Sequence, residues 1–240
     1  MKIVEYNNNH SIIVEFQDKY KGKVHTNYKS FSLGETKNPY YPSICGIGIT
    51  GNKYPTRINN KKPKEYAVWT DMIRRCFDIK EKENFPTYKN ATCCDEWLLY
   101  DSFYEWLHKQ ENFEKWYNGS RWDIDKDILF KGNKIYSPET CCLTPNNVNQ
   151  LFVKRDNDRG DYPVGVHKFR NGYRAQCRNP FNGNKQEYLG IYSTFKQAFN
   201  AYKIFKENII KQVAEIEYKS GNITKQCYEA MMNYEIEITD

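Results

Sequence analysis

Apolar and polar residues alternate near the start of the chain. Ile3-Val4-Glu5-Tyr6 and Ser11-Ile12-Ile13-Val14-Glu15-Phe16 read as half-buried strands. Gly, Pro and Asn crowd residues 34–56, so turns dominate there and residues 1–60 form a small β-rich module. Asn59-Asn60-Lys61-Lys62-Pro63-Lys64 reads as a basic, exposed link. The period then changes. Trp69, Met72, Ile73 and Cys76 follow the i, i+3, i+4, i+7 spacing of an amphipathic helix. A second helix is expected after Asp95, its cap, with Trp97, Leu98, Phe103, Trp106 and Leu107 as its apolar set. These aromatics read as core.

Residues 121–152 have another outline. Trp122, Ile124 and Ile128 punctuate a strand that carries Asp123, Asp125 and Asp127. A polar loop with Lys131-Gly132-Asn133-Lys134 follows, then a short strand near Cys141-Cys142-Leu143-Thr144. Pro145 suits the first position of a helix containing Val148, Asn149 and Leu151. The prediction is strand, loop, strand, short helix.

The clearest pattern lies in 163–212. Gly165–Phe169 is a strand, Asn171-Gly172 a hairpin turn, and Tyr173–Arg178 an alternating strand. A second turn at Asn179–Asn184 leads to a third strand, Gln186–Tyr192. Thr194 caps a helix with Phe195, Ala198, Phe199, Tyr202 and Phe205 along one side. Residues 222–234 add a last helix with Tyr228, Met231 and Met232. The fold class is α+β and modular: a β-rich module at 1–60, a helical region at 65–160 that includes 121–152, a three-stranded sheet with its helix at 163–212, and a helical tail at 213–240.

Composition narrows the function. No apolar run reaches the eighteen residues of a membrane-spanning helix, and the start, MKIVEYNNNH, has no apolar signal region. With 20 Tyr, 13 Phe and 5 Trp, the chain has the apolar surface to fold. A soluble cytoplasmic protein is expected. The eight cysteines form no C-x-x-C pair and the four histidines are scattered, which argues against a zinc site.

Charge is uneven. Residues 1–64 carry eleven Lys/Arg and four Asp/Glu, net +7; residues 161–206 carry eight and two, net +6. Residues 65–160 hold fourteen and seventeen, net −3, and residues 207–240 three and seven, net −4. Basic blocks attract polyanions. In the strand 173–178, Tyr173, Ala175 and Cys177 point one way and Arg174, Gln176 and Arg178 the other, because the strand period is two. The second set forms a row of long donors. Arg reads guanine and Gln reads adenine in a major groove, and Lys168, Arg170 and Lys185 stand nearby to hold phosphates.

Residues 165–206 resemble an AP2/ERF-type DNA-binding domain. The resemblance runs through Gly165-Val166, Ala175-Gln176-Cys177-Arg178, Tyr188-Leu189-Gly190-Ile191-Tyr192, Thr194 and Ala198-Phe199-Asn200-Ala201-Tyr202. It implies that the sheet face contacts double-stranded DNA, with His167, Arg174, Gln176, Arg178 and Tyr188 in the contact positions. His167, Gln186 and Tyr188 depart from the Arg and Trp of plant members, so the target sequence does not carry over.

Residues 121–152 resemble the ββα-metal, or HNH, motif of phage homing endonucleases, through Ile124-Asp125-Lys126-Asp127-Ile128, the Gly132-Asn133 loop, Pro138-Glu139-Thr140 and Asn149. The resemblance implies a Mg²⁺ or Mn²⁺ site held by Asp125 and Asn149, with Asn133 ordering the loop. Lys126 stands where the family has its catalytic His. A protonated lysine is a poor base, which leaves Asp127 or Lys126 to assist the water or phosphate. The order of the modules is similar to that of phage AP2/HNH proteins. Three readings follow: an endonuclease that nicks or cuts double-stranded DNA, a non-cleaving DNA-binding regulator, and a phage protein that binds a host defence factor.

Overall fold

The computed structural model describes residues 1–153 and 162–240. It is a mixed α+β structure with several small sheets. The chain divides into two compact units, Met1–Gln110 with Lys134–Pro138, and Glu111–Asn133 with Glu139–Asp240. Among the described residues, no helix is long and apolar enough to cross a membrane.

The first unit opens with an antiparallel meander of β1 (Lys2–Asn8), β2 (Ser11–Glu15) and β3 (Lys23–Thr26). Ile12 and Val14 of the central strand are fully buried, as their alternation requires. A short α1 (Tyr28–Ser32) and the pair β4 (Pro42–Ile44) and β5 (Gly48–Ile49) follow. The basic link at 59–64 is more compact than its composition suggests. Asn59 and Asn60 both take positive φ, 49° and 61°, and Ile58 bridges Lys61 across them. Asparagine tolerates this left-handed backbone, so the segment closes as a tight turn.

Next comes α2 (Lys64–Phe77), which buries the expected stripe of Trp69, Met72, Ile73 and Cys76. It is followed by α3 (Ile79–Asn84) and β6 (Thr92–Cys93). The second expected helix is interrupted. Asp95–Leu98 is a 3₁₀ turn, Leu99 is extended at ψ 120°, and α4 (Tyr100–His108) begins only after it. Asp95 therefore does not cap the helix. Leu99 forms a parallel bridge with Ile49, and that pairing requires the extended backbone. The aromatics of both pieces remain core: Trp69 Nε1 donates to the Trp97 carbonyl at 2.8 Å, and Trp97 meets Phe103 edge-on at 5.2 Å. The unit is completed by a strand from further along the chain, Ile135–Tyr136, which pairs in parallel with β6.

In the second unit, α5 (Phe113–Asn118) precedes β7 (Trp122–Asp125). Counting Ile135–Tyr136 as β8, the partner of β7 is β9 (Cys142–Pro145), antiparallel, with Asp123 opposite Thr144 and Asp125 opposite Cys142. The one-turn α6 (Asn146–Asn149) follows at once, with Pro145 as the last strand residue rather than the first helical one. The second sheet, β10 (Val166–Phe169), β11 (Gly172–Asn179) and β12 (Lys185–Tyr192), lies under α7 (Phe195–Lys219). Thr194 and Gln197 form a capping box at the start of α7. Ala198, Phe199 and Tyr202 are buried with Val166, Ala175 and Cys177. The helix runs on past residue 212, and its later turns, with Ile210 and Val213, share a core with Cys227 and Met231 of α8 (Lys225–Met232).

Candidate nucleic-acid interface

The β10–β12 sheet has one closed face and one open face. Burial on the closed face perturbs two groups: it pushes the Cys177 thiol up and the Lys206 ammonium down. The open face carries the donors. His167 stands opposite Arg174, Gln176 opposite Tyr188, and Arg178 opposite Gln186. His167, Arg178 and Tyr188 are exposed, Tyr188 by 63%. Five of the eight DNA-contact residues named from the sequence are thus brought onto one face: His167, Arg174, Gln176, Arg178 and Tyr188.

Lys168 and Lys185 take the alternate positions. Lys168 pairs with Tyr173, and its Nζ lies 4.3 Å from that ring. Lys185 pairs with Asn179, in phase with Ala175 and Cys177 of the closed face. Both lysines are exposed at the sheet margin.

Arg170 sits in the turn between β10 and β11. Phe169 pairs with Gly172, so the two-residue turn is Arg170-Asn171, one position earlier than the Asn-Gly signal suggests. Arg170 takes φ 50°. The glycine is needed in the strand instead: a Cβ at Gly172 would lie 2.8 Å from the Tyr192 carbonyl oxygen and 2.9 Å from Ile191 Cγ2. The Cζ atoms of Arg170 and Arg174 lie 5.4 and 5.2 Å from the Phe169 ring, which holds two guanidinium groups at this end of the sheet.

One residue of the face was hidden from the sequence. Strict alternation from Tyr188 turns Ile191 inward. The ladder between β11 and β12 slips between Ala175 and Gln176, so that Leu189 is the extra residue and Ile191 stands opposite Arg174. Gly190, at φ 120°, supplies the backbone that this bulge requires. Ile191 is 49% exposed.

The strand, loop, strand and helix of 121–152 hold the other set of named residues. Several of their hydrogen bonds run within the segment itself. Asp125 is buried, and its Oδ1 accepts the backbone N–H of Asp127 and of Ile128, each at 2.8 Å. Burial, with the nearby Asp127 carboxylate, pushes the Asp125 carboxyl up to about 6 against those two donors. Lys126 Nζ pairs with Asp127 at 3.1 Å, and Asn133 donates to the Lys126 carbonyl at 2.6 Å. Asn149 donates to Asp123 Oδ2 at 3.2 Å, and Asn146 donates to the same oxygen at 2.9 Å.

The carboxylate joined to Asn149 is therefore Asp123, a residue that had no role in the metal site drawn from the resemblance. Its strand phase, shared with Asp125, was the available signal. Among the described residues, no three His, Cys, Asp or Glu side chains form a group able to hold a metal ion. Deeper in the same unit, a hydrogen bond to Cys227, and then burial, raise the Cys142 thiol.

No family model matches the chain, and neither a curated protein nor a solved structure matches it.

Proposed function

We propose that this protein binds double-stranded DNA, with a preference for particular base sequences, through the open face of the β10–β12 sheet. The observation that carries the reading is the shared face of His167, Arg174, Gln176, Arg178 and Tyr188, over a sheet whose opposite face is closed by α7. Base-edge donors on a rigid, one-sided sheet suit a major groove. Arg170, Lys168 and Lys185 at the margins suit phosphates. The AP2/ERF resemblance supports the same assignment.

Fluorescence anisotropy on a pool of random duplexes tests it. Binding should weaken steeply with salt. On a selected duplex, Arg178→Ala should relax preference at one base pair, whereas Lys185→Ala should weaken all sequences alike. Equal losses across all sequences for both variants would sink base reading by this face.

A second reading, Mg²⁺- or Mn²⁺-dependent endonuclease action, is favoured by the strand–loop–strand–helix order and by the HNH resemblance. In it Asp125 and Asn149 take the metal, Asp127 or Lys126 assists the water or phosphate, and Asn133 orders the loop. Supercoiled plasmid incubated with either ion, beside Asp125→Ala and Asn149→Ala proteins, decides it. Nicking by the parent alone supports cleavage. No nicking, with duplex binding retained, leaves a DNA-binding regulator.

A further inference from the structure

The turn end of the open face differs from the rest. Its middle row is His167, Arg174 and Ile191, in register across three strands. Beside that row, Phe169 faces Gly172, which has no side chain, and the Ile191 side chain reaches close over that bare position. Phe169, Arg170, Asn171, Gly172, Ile191 and Tyr192 line an open depression of about 370 Å³. Arg174 flanks it. Its guanidinium rests on the Phe169 ring, and its Nε has no hydrogen-bond partner among the described residues. An arginine held by a ring rather than by a carboxylate keeps its outer N–H groups for a ligand.

An exposed β-branched aliphatic residue directly opposite such an arginine has a specific use on DNA. Arginine donates to O6 and N7 of guanine, and apolar side chains contact the 5-methyl group that distinguishes thymine in the major groove. Directly opposed side chains in an antiparallel pair stand about 5 Å apart, close enough to touch neighbouring base pairs.

We infer that this end of the sheet reads a 5-methylpyrimidine beside a guanine, with Ile191 sensing the methyl group and Arg174 the guanine. The inference rests on the duplex-DNA reading above. The methyl belongs to thymine in unmodified DNA and to 5-methylcytosine in modified DNA.

The test uses the full chain. Duplexes with a randomised core are selected for binding, and the best is resynthesised with deoxyuridine in place of each thymine in turn. Loss of the methyl at one thymine beside a guanine should weaken binding about fourfold, the worth of one buried methyl group. Ile191→Ser should bind the thymine and deoxyuridine duplexes equally. Cytosine and 5-methylcytosine at the same position form a further arm, in which tighter binding of the methylated base alone would name the modified base as the ligand.

A selected site with no 5-methylpyrimidine beside a guanine would overturn the inference, as would equal binding of thymine and deoxyuridine at every position. So would a methyl effect that survives Ile191→Ser. In each of these cases tight binding that depends on Arg178 would leave the DNA reading standing. Failure to bind any duplex would overturn both.

Discussion

The segment 121–152 and the β10–β12 sheet are both dense in polar side chains, yet they use them in opposite ways. In the segment, donors and acceptors satisfy one another: Asp125 holds two backbone N–H groups, Asn146 and Asn149 share Asp123, and Lys126 meets Asp127. On the sheet, the donors line a face that, among the described residues, opposes no other layer of its own module, and the arginines at its end lie on an aromatic ring rather than on acids. A polar residue that already has its partners inside the fold contributes first to shape. One left facing outward has its donors available for a ligand. The difference lies in where the hydrogen bonds go, not in residue type.

The sharpest way to break the comparison is Asp125→Ala. It strips two backbone donors of their acceptor, the Ile128 N–H buried and the Asp127 N–H half-buried, at roughly 1–3 kcal/mol for a buried one and less for the other. Urea unfolding should show a loss of about 3 kcal/mol, while the duplex affinity of the folded protein stays within about twofold. Unchanged stability with lost DNA binding would reverse the roles assigned to the two regions.

Acid titration gives the next largest effect. The Asp125 carboxyl is raised to about 6 in the folded protein, above the roughly 3.9 of an unfolded chain. The folded state therefore holds that proton more tightly. Its contribution to stability is fully present below about pH 4 and is lost as pH rises through about 6, on the order of 3 kcal/mol in all. Asp125→Asn, neutral throughout, should flatten this slope in urea melts between pH 4 and 7. A slope equal to that of the parent would remove Asp125 as its source.

Arg178→Ala should lower affinity for a selected duplex by about 1–2 kcal/mol and leave the urea midpoint nearly unchanged. A large stability loss instead would mean that this arginine, too, works inside the fold. The smallest effect is expected for Lys168→Ala, whose side chain lies on Tyr173. Its binding loss should be under about 1 kcal/mol, equal for all sequences, with a shallower salt dependence.

Much of this was legible from residue order. The helical stripe of Trp69, Met72, Ile73 and Cys76 is buried as its spacing demands, and Thr194 caps α7. Alternation placed Arg174, Gln176 and Arg178 on one face because the extra residue of the β11–β12 ladder, Leu189, falls in β12 and not in their own strand. The failures share a cause, which is pairing to distant chain. Leu99 leaves the helix to meet Ile49, and the bulge at Leu189 turns Ile191 outward. Gly172 is required by the close approach of Tyr192, not by the turn that an Asn-Gly pair usually marks. Asn149 meets Asp123 because the strand that pairs with β7 delivers α6 to that end of it. No local window of sequence contains such partners.

The short strand β8 carries a consequence for how this protein can be rearranged. Lys134–Pro138 complete the first unit, although the chain on either side belongs to the second. A single cut or a single crossover therefore cannot separate the two units as intact pieces. A fragment ending at Gln110 leaves β6 without the neighbour it pairs with. Any exchange of one unit for another, in the laboratory or in a genome, needs at least three junctions, which ties the inheritance of one half to that of the other.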